Sequence, residues 1–102
     1  MKYNKLIRDY IPALLHKQQL TFTSYICDET EYGKRLRDKL QEEVDEFLQD
    51  DTVEELTDIL EVLYALAHTK GITKNELELL RQEKALARGR FTKRIVLLET
   101  KK

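Results

Sequence analysis

The 102-residue sequence contains one cysteine, one proline and three glycines, and it has no tryptophan. The single cysteine, Cys27, excludes an internal disulfide and a cysteine-based metal cluster. The scarcity of proline and glycine favours helix in a chain rich in leucine, glutamate and lysine. No apolar run approaches the ~20 residues that a membrane span requires, and the sequence shows no signal peptide. We therefore expect a cytoplasmic protein that does not bind membranes.

Neither sign of charge is in excess. Lysine and arginine number 18 and aspartate and glutamate number 19, for a formal net charge of -1. Such a protein has no global field that attracts a nucleic acid polymer or an anionic membrane, so recognition of an anion must be local. The length predicts a single domain over residues 1–102, of a size that oligomerisation would help to stabilise.

Three predicted helices share the same start signal, a capping residue followed three positions later by glutamate. The capping residues are Asp28, Thr52 and Thr73. They predict helices over Glu29–Gln49, Val53–Thr69 and Lys74–Arg88. A shorter helix is predicted from about Pro12 to Gln19, because proline is favoured in a first helical turn.

Two further segments have the composition of β-strands. Thr21–Cys27 and Arg94–Thr100 are rich in β-branched, aromatic and aliphatic residues. A single strand formed by either segment would have unpaired edges. We expect them to pair. The predicted fold is therefore mainly α, with a short N-terminal helix plus three longer helices in a bundle and a small two-stranded β element.

The first long helix carries an acidic residue on its apolar face. At ~100° per residue, Glu43 falls inside the apolar stripe and Glu46 lies at its border. Glu42 and Asp45 are expected to point towards water. The stripe consists of Tyr32, Leu36, Leu40, Val44, Phe47 and Leu48.

The second long helix repeats this pattern, with Glu55 inside its apolar arc and Asp58 at the edge. From Ile59 to Ala67 only Glu61 is polar, which predicts a centrally buried helix. A short turn makes the two helices antiparallel neighbours, so four carboxylates should converge beside an apolar interface. Clustered buried carboxylates take up protons or recruit a cation, and oxygen ligands suit Mg²⁺ or Mn²⁺.

The same acids have simpler interpretations. Glu55 is also the capping-box partner of Thr52, which alone could explain its position. Lys39 precedes Glu43 by four residues and could form a surface ion pair with it. Glutamate-rich helices are commonly just solvated faces. The pattern of residues therefore leaves both a metal site and a purely structural role open.

Two short motifs carry a family resemblance. Residues 42–46 read EEVDE and residues 55–58 read ELTD, an EExxE and ExxD pair on adjacent helices. The pair resembles the signature of the all-α nucleoside triphosphate pyrophosphohydrolase superfamily, which includes MazG-type enzymes and phosphoribosyl-ATP pyrophosphohydrolase. The resemblance to the small phosphoribosyl-ATP pyrophosphohydrolase-like branch runs from the opening YNKLIRD segment to the RGRF element. The separation of the two motifs is shorter than is typical of MazG domains and requires a tight hairpin.

The resemblance implies a function and a set of site residues. The metal ligands and catalytic residues would be Glu43, Glu46, Glu55 and Asp58. They would hold Mg²⁺, with Mn²⁺ as the alternative ion, while a nucleotide is cleaved between its α- and β-phosphates to a monophosphate and pyrophosphate. The superfamily also implies a homodimer or a higher homo-oligomer. Contacts to the substrate phosphates would come from Lys5, Arg8, Lys84 and Arg88.

The substrate and the competing function stay open at the level of sequence. A role in removing non-standard nucleotides is the broader expectation, and phosphoribosyl-ATP hydrolysis in histidine synthesis is the narrower one. The alternative from another functional class is a catalytically silent helical dimer that binds a nucleotide or a protein partner.

Overall fold

Four helices follow one another in a computed structural model that describes residues 2–102. They are α1 (Ile11–Lys17), α2 (Glu29–Asp50), α3 (Val53–Thr69) and α4 (Lys74–Arg88). The bounds of α2, α3 and α4 agree with the predicted ones to within a residue. None of the helices in this described part of the chain is both long and apolar enough to cross a membrane.

The predicted capping residues begin the three longer helices. At each start, the side-chain oxygen of the capping residue accepts a hydrogen bond from the backbone N–H of the glutamate three residues later. These contacts satisfy N–H groups that have no partner within the helix. The capping residues are Asp28, Thr52 and Thr73.

A tight turn joins α2 to α3. Asp51 adopts the left-handed conformation, with φ 54 and ψ 46, and its N–H bonds to the carbonyl of Phe47 at 2.8 Å. Thr52 follows at once as the cap of α3. Because only two residues separate the helices, the end of α2 and the start of α3 lie beside each other, as the motif spacing required.

The helices form an open arrangement, and the predicted bundle is wrong. α2 packs against α3, and α3 packs against α4, whereas α1 and α4 do not approach α2 closely. The radius of gyration is 18.1 Å and the longest dimension is 63 Å, compared with a radius of about 13 Å for a compact chain of this length. The most buried apolar residues are few: Leu36, Val62 and Ala67.

The predicted β element is also wrong, because residues 2–102 contain no strand. The segments 21–27 and 94–100 are irregular, and the side chains from Ile95 to Leu98 are 75–90% exposed. Strand-forming composition reflects packing on a neighbouring surface, and an isolated pair of strands is marginal in water. Within one chain neither segment has such a surface.

An apolar stripe of α3 faces solvent, so the prediction of a centrally buried helix is wrong for this side. Its members recur at helical spacing and are 38–75% exposed. The apolar stripe consists of Val53, Leu56, Leu60 and Leu63. Leu48, at the end of the predicted stripe of α2, is 72% exposed as well.

Candidate functional site

Glu43 occupies the buried side of α2, as its spacing predicted, and is 7% exposed. Its Oε1 lies 3.4 Å from Nζ of Lys39. Its Oε2 is buried and has no hydrogen-bond partner among the described residues. A buried carboxylate oxygen without a partner is costly, because hydration is lost and nothing replaces it. A cation or hydrogen-bond donor added at this atom would offset that cost.

Glu46 and Glu55 lie in a field of negative charge. Partial loss of hydration and the neighbouring Glu43 raise the pKa of Glu46. Loss of hydration, followed by the proximity of Asp50 and Asp58, raises the pKa of Glu55. Glu46 is exposed and Glu55 is half-buried, so water moderates both effects. Both carboxyl groups hold a proton more readily than ordinary glutamates.

Basic side chains of the N-terminal segment (residues 2–10) contact this acidic region. Lys5 Nζ lies 2.7 Å from Glu42 Oε1, and Arg8 Nη2 lies 2.6 Å from Asp58 Oδ1. Lys39 Nζ, from α2 itself, lies 3.1 Å from Glu42 Oε2. The acids are thus partly neutralised by cations of the same chain.

Glu42 was predicted to point towards water, and this prediction is wrong. It is half-buried and accepts hydrogen bonds from both Lys5 and Lys39. Burial disfavours its charged form, but these two lysines outweigh that effect and lower the pKa of Glu42. The hydrogen bond to Glu42 correspondingly raises the pKa of Lys5. The available signal was Lys39, three residues earlier on the same helical face.

The second pair of predicted phosphate contacts lies elsewhere. Lys84 and Arg88 are exposed on α4, and they form no hydrogen bond or ion pair among residues 2–102. Because α4 does not approach α2, a single chain does not bring Lys84 and Arg88 to the acids.

Two of the simpler interpretations of the acids correspond to contacts in the structure. The hydroxyl of Thr52 donates to Glu55 Oε2 at 3.1 Å, and the N–H of Glu55 donates to the same hydroxyl at 3.4 Å. Glu55 therefore does serve the helix cap. Lys39 does pair with Glu43, although both side chains are largely buried rather than on a solvated face.

The chemical type of these side chains suits a hard cation, but their present positions do not form a complete metal site. All the candidate metal ligands are carboxylate oxygens, and one buried oxygen of Glu43 has no hydrogen-bond partner. However, no group of three or more His, Cys, Asp or Glu side chains in residues 2–102 is positioned to hold a metal ion. Binding would require side-chain rotation and the release of Asp58 by Arg8.

Comparison of the chain with protein-family models, with curated proteins and with solved structures gives no match. The family resemblance of the two motifs therefore stays a prediction.

Proposed function

We propose that the protein is a Mg²⁺-dependent nucleotide pyrophosphohydrolase. It would cleave a nucleoside triphosphate, or a related phosphoribosyl-ATP-like compound, between the α- and β-phosphates. The observation that carries this proposal is the unpartnered buried oxygen of Glu43, with three further acids of the two motifs nearby along α2 and α3. The metal ligands in this proposal are Glu43, Glu46, Glu55 and Asp58, and Mn²⁺ is the alternative ion.

The proposed reaction requires activation of a water molecule and departure of pyrophosphate. Bound Mg²⁺ supplies polarisation of a phosphate oxygen and a lowered pKa for a nearby water. A carboxylate near the metal, or the metal itself, would activate the water that attacks the α-phosphorus, and the proton of this water would pass to that carboxylate or to solvent. The bond from this phosphorus to the bridging oxygen then breaks, and pyrophosphate leaves.

Lys5 and Arg8 would exchange partners when metal and substrate bind. In the structure they neutralise Glu42 and Asp58. Arg8 would be released if Asp58 became a metal ligand, and the substrate phosphates would compete with Glu42 for Lys5. Both side chains would then be free to contact the substrate phosphates, for which an arginine fork and a lysine charge are both effective.

The test is a set of nucleoside triphosphates incubated with Mg²⁺, with products separated by chromatography. We expect a monophosphate and pyrophosphate, and loss of turnover in Glu43→Gln. Glu61→Gln is the matched control, because Glu61 is an exposed glutamate on α3 without an ion pair in the described residues. Release of orthophosphate and a diphosphate would contradict the proposed mechanism.

One observation favours the second candidate, a catalytically silent helical dimer that binds a nucleotide or a protein. Lys39 and Arg8 already pair with two of the four proposed ligands, Glu43 and Asp58, as they would in a site that never holds a metal. Nucleotide binding without hydrolysis, unaffected by Mg²⁺, would support this candidate over the enzyme.

The assembly that we propose is a homodimer. The accessible surface is 9974 Å², whereas a compact chain of 12.1 kDa exposes about 6,000 Å². A homodimer interface of about 2,000 Å² or more fits within this excess. The apolar stripe of α3 supplies a surface for it, because its leucines recur at the three- and four-residue spacing that packs one helix against another.

A further inference from the structure

Arg35 joins the N-terminal segment to α2. Its Nη1 donates to the backbone carbonyl of Asn4 at 2.8 Å, and its Nη2 donates to Asn4 Oδ1 at 3.1 Å. On the other side, Nε donates to Glu31 Oε2 at 3.1 Å, and Nη2 also donates to the hydroxyl of Tyr25 at 3.2 Å. The Arg35 side chain is 24% exposed. One guanidinium therefore connects α2 with two segments outside it.

Asn4 adopts the left-handed conformation, with φ 47. Asparagine enters this region more readily than most residues, but the conformation still needs support from its surroundings. Arg35 supplies that support by binding the carbonyl and the side chain of the same residue. The bend leads directly to Lys5, whose Nζ reaches Glu42.

The attachment is polar rather than apolar. A cavity of about 50 Å³ lies between the N-terminal segment and α2, lined in part by Asn4, Leu6 and Arg35. Arg35, Lys39 and Glu42 succeed one another at spacings of four and three residues, so they share one face of α2. Hydrogen bonds along this face therefore help to hold the segment in place.

We infer that Arg35 is a positioning residue that fixes the N-terminal segment so that Lys5 and Arg8 are presented to the substrate phosphates, an inference that rests on the function proposed above. Arg35 does not itself contact the acids of the two motifs in the structure. Its planar fork can bind two acceptors of Asn4 at once, which a lysine ammonium cannot reproduce in the same geometry. Its role is thus separable from catalysis.

The kinetic test compares Arg35→Ala and Arg35→Lys with wild type. We expect the KM for the triphosphate to rise about tenfold in Arg35→Ala, because hydrogen bonds to charged phosphates lose their fixed donors. The kcat at saturating substrate should change less than twofold, and Arg35→Lys should recover little. Arg37→Ala is the matched control, since Arg37 is exposed on α2 and unpaired in the described residues.

A second variant removes the contact from the other side without altering a helix. Asn4→Ala loses the Oδ1 acceptor and disfavours the left-handed bend, whereas Asn4→Gly loses the acceptor but keeps the bend accessible. We expect Asn4→Ala to raise the KM as Arg35→Ala does, and Asn4→Gly to raise it less. A fall in kcat with an unchanged KM in either alanine variant would overturn the positioning role.

Limited trypsin digestion tests the attachment without relying on activity. Lys5 and Arg8 are tryptic sites, and cleavage after them, followed by intact mass, should be several-fold faster in Arg35→Ala than in wild type or Arg37→Ala. Equal cleavage rates would overturn the attachment itself. A different outcome is faster cleavage of Arg35→Ala together with a wild-type protein that hydrolyses no nucleotide. That outcome would refute the proposed function and the presentation of Lys5 and Arg8 to substrate. It would still support the attachment of the N-terminal segment by Arg35.

Discussion

Replacing Glu43 by methionine should make the metal-free protein more stable and remove its response to Mg²⁺. Methionine is of similar length, is apolar and is adaptable in irregular spaces. The change removes the buried Oε2 that has no partner, which should favour the folded state by about 1–3 kcal/mol. Against this, Lys39 loses one contact, worth roughly 0.5–1 kcal/mol, while it keeps Glu42 at 3.1 Å.

The net expectation is a gain of up to about 2.5 kcal/mol. For a domain of this size, each kcal/mol corresponds to a shift in Tm of about 4–8 °C. Thermal unfolding should be followed by circular dichroism at one fixed protein concentration, because association makes Tm depend on concentration. Mg²⁺ in the millimolar range should raise the Tm of wild type and leave that of Glu43→Met unchanged.

Glu61→Met is the control for the stability measurement. Glu61 is exposed, so this variant should stay close to wild type in both stability and Mg²⁺ response. A loss of stability in Glu43→Met would show that the carboxylate is satisfied in solution. A Glu43→Met protein that is still stabilised by Mg²⁺ would refute the assignment of Glu43 as a ligand.

Further predictions address the cap, the charge and the assembly. Thr52→Ala should lower the free energy of unfolding, measured by urea denaturation, by about 1 kcal/mol and should retain turnover. Glu55→Gln should fold normally and be inactive. Near-normal turnover in Glu55→Gln would leave Glu55 with a role in the helix cap alone. Folding raises the pKa of Glu46 and of Glu55. Each residue therefore contributes to stability at a pH below the pKa of an ordinary glutamate, about 4.3, and loses this contribution as the pH rises through its pKa in the folded protein. Urea midpoints of the metal-free protein should therefore fall as pH is raised from about 4.5 to 7, and a flat profile would contradict the shifts. Leu60→Glu should reduce the sedimenting mass to that of a monomer, and an unchanged mass would exclude the apolar stripe of α3 as the interface.

The helices could be predicted because their signals are local. Thr52 and Glu55 are three residues apart, so the cap that starts α3 is written in one turn of sequence. The burial of Glu43 follows in the same way from the angular spacing of residues within α2. Neither feature depends on contacts between distant parts of the chain.

The errors concern contacts between distant residues. The predicted strands needed a partner about seventy residues away, and the composition of Thr21–Cys27 carries no information about whether that partner is within reach. The hydrogen bonds of Arg35 to Asn4 span 31 residues and depend on a left-handed backbone that the sequence does not announce. The prediction for Glu42 was wrong for a related reason, since one of its two hydrogen-bond donors is Lys5, 37 residues away.

The tight turn at Asp51 has a consequence for the order in which the site assembles during folding. The acids from Glu43 to Asp58 lie on either side of this turn, and closing so short a loop costs little chain entropy. Contacts between neighbours in sequence form early, whereas the pairing of Arg8 with Asp58 closes a loop of 50 residues. The hairpin of α2 and α3 should therefore form first, and Lys5 and Arg8 should dock on its acids last. Under the metal site proposed above, a divalent cation should therefore speed the folding of this hairpin before Lys5 and Arg8 have docked on it.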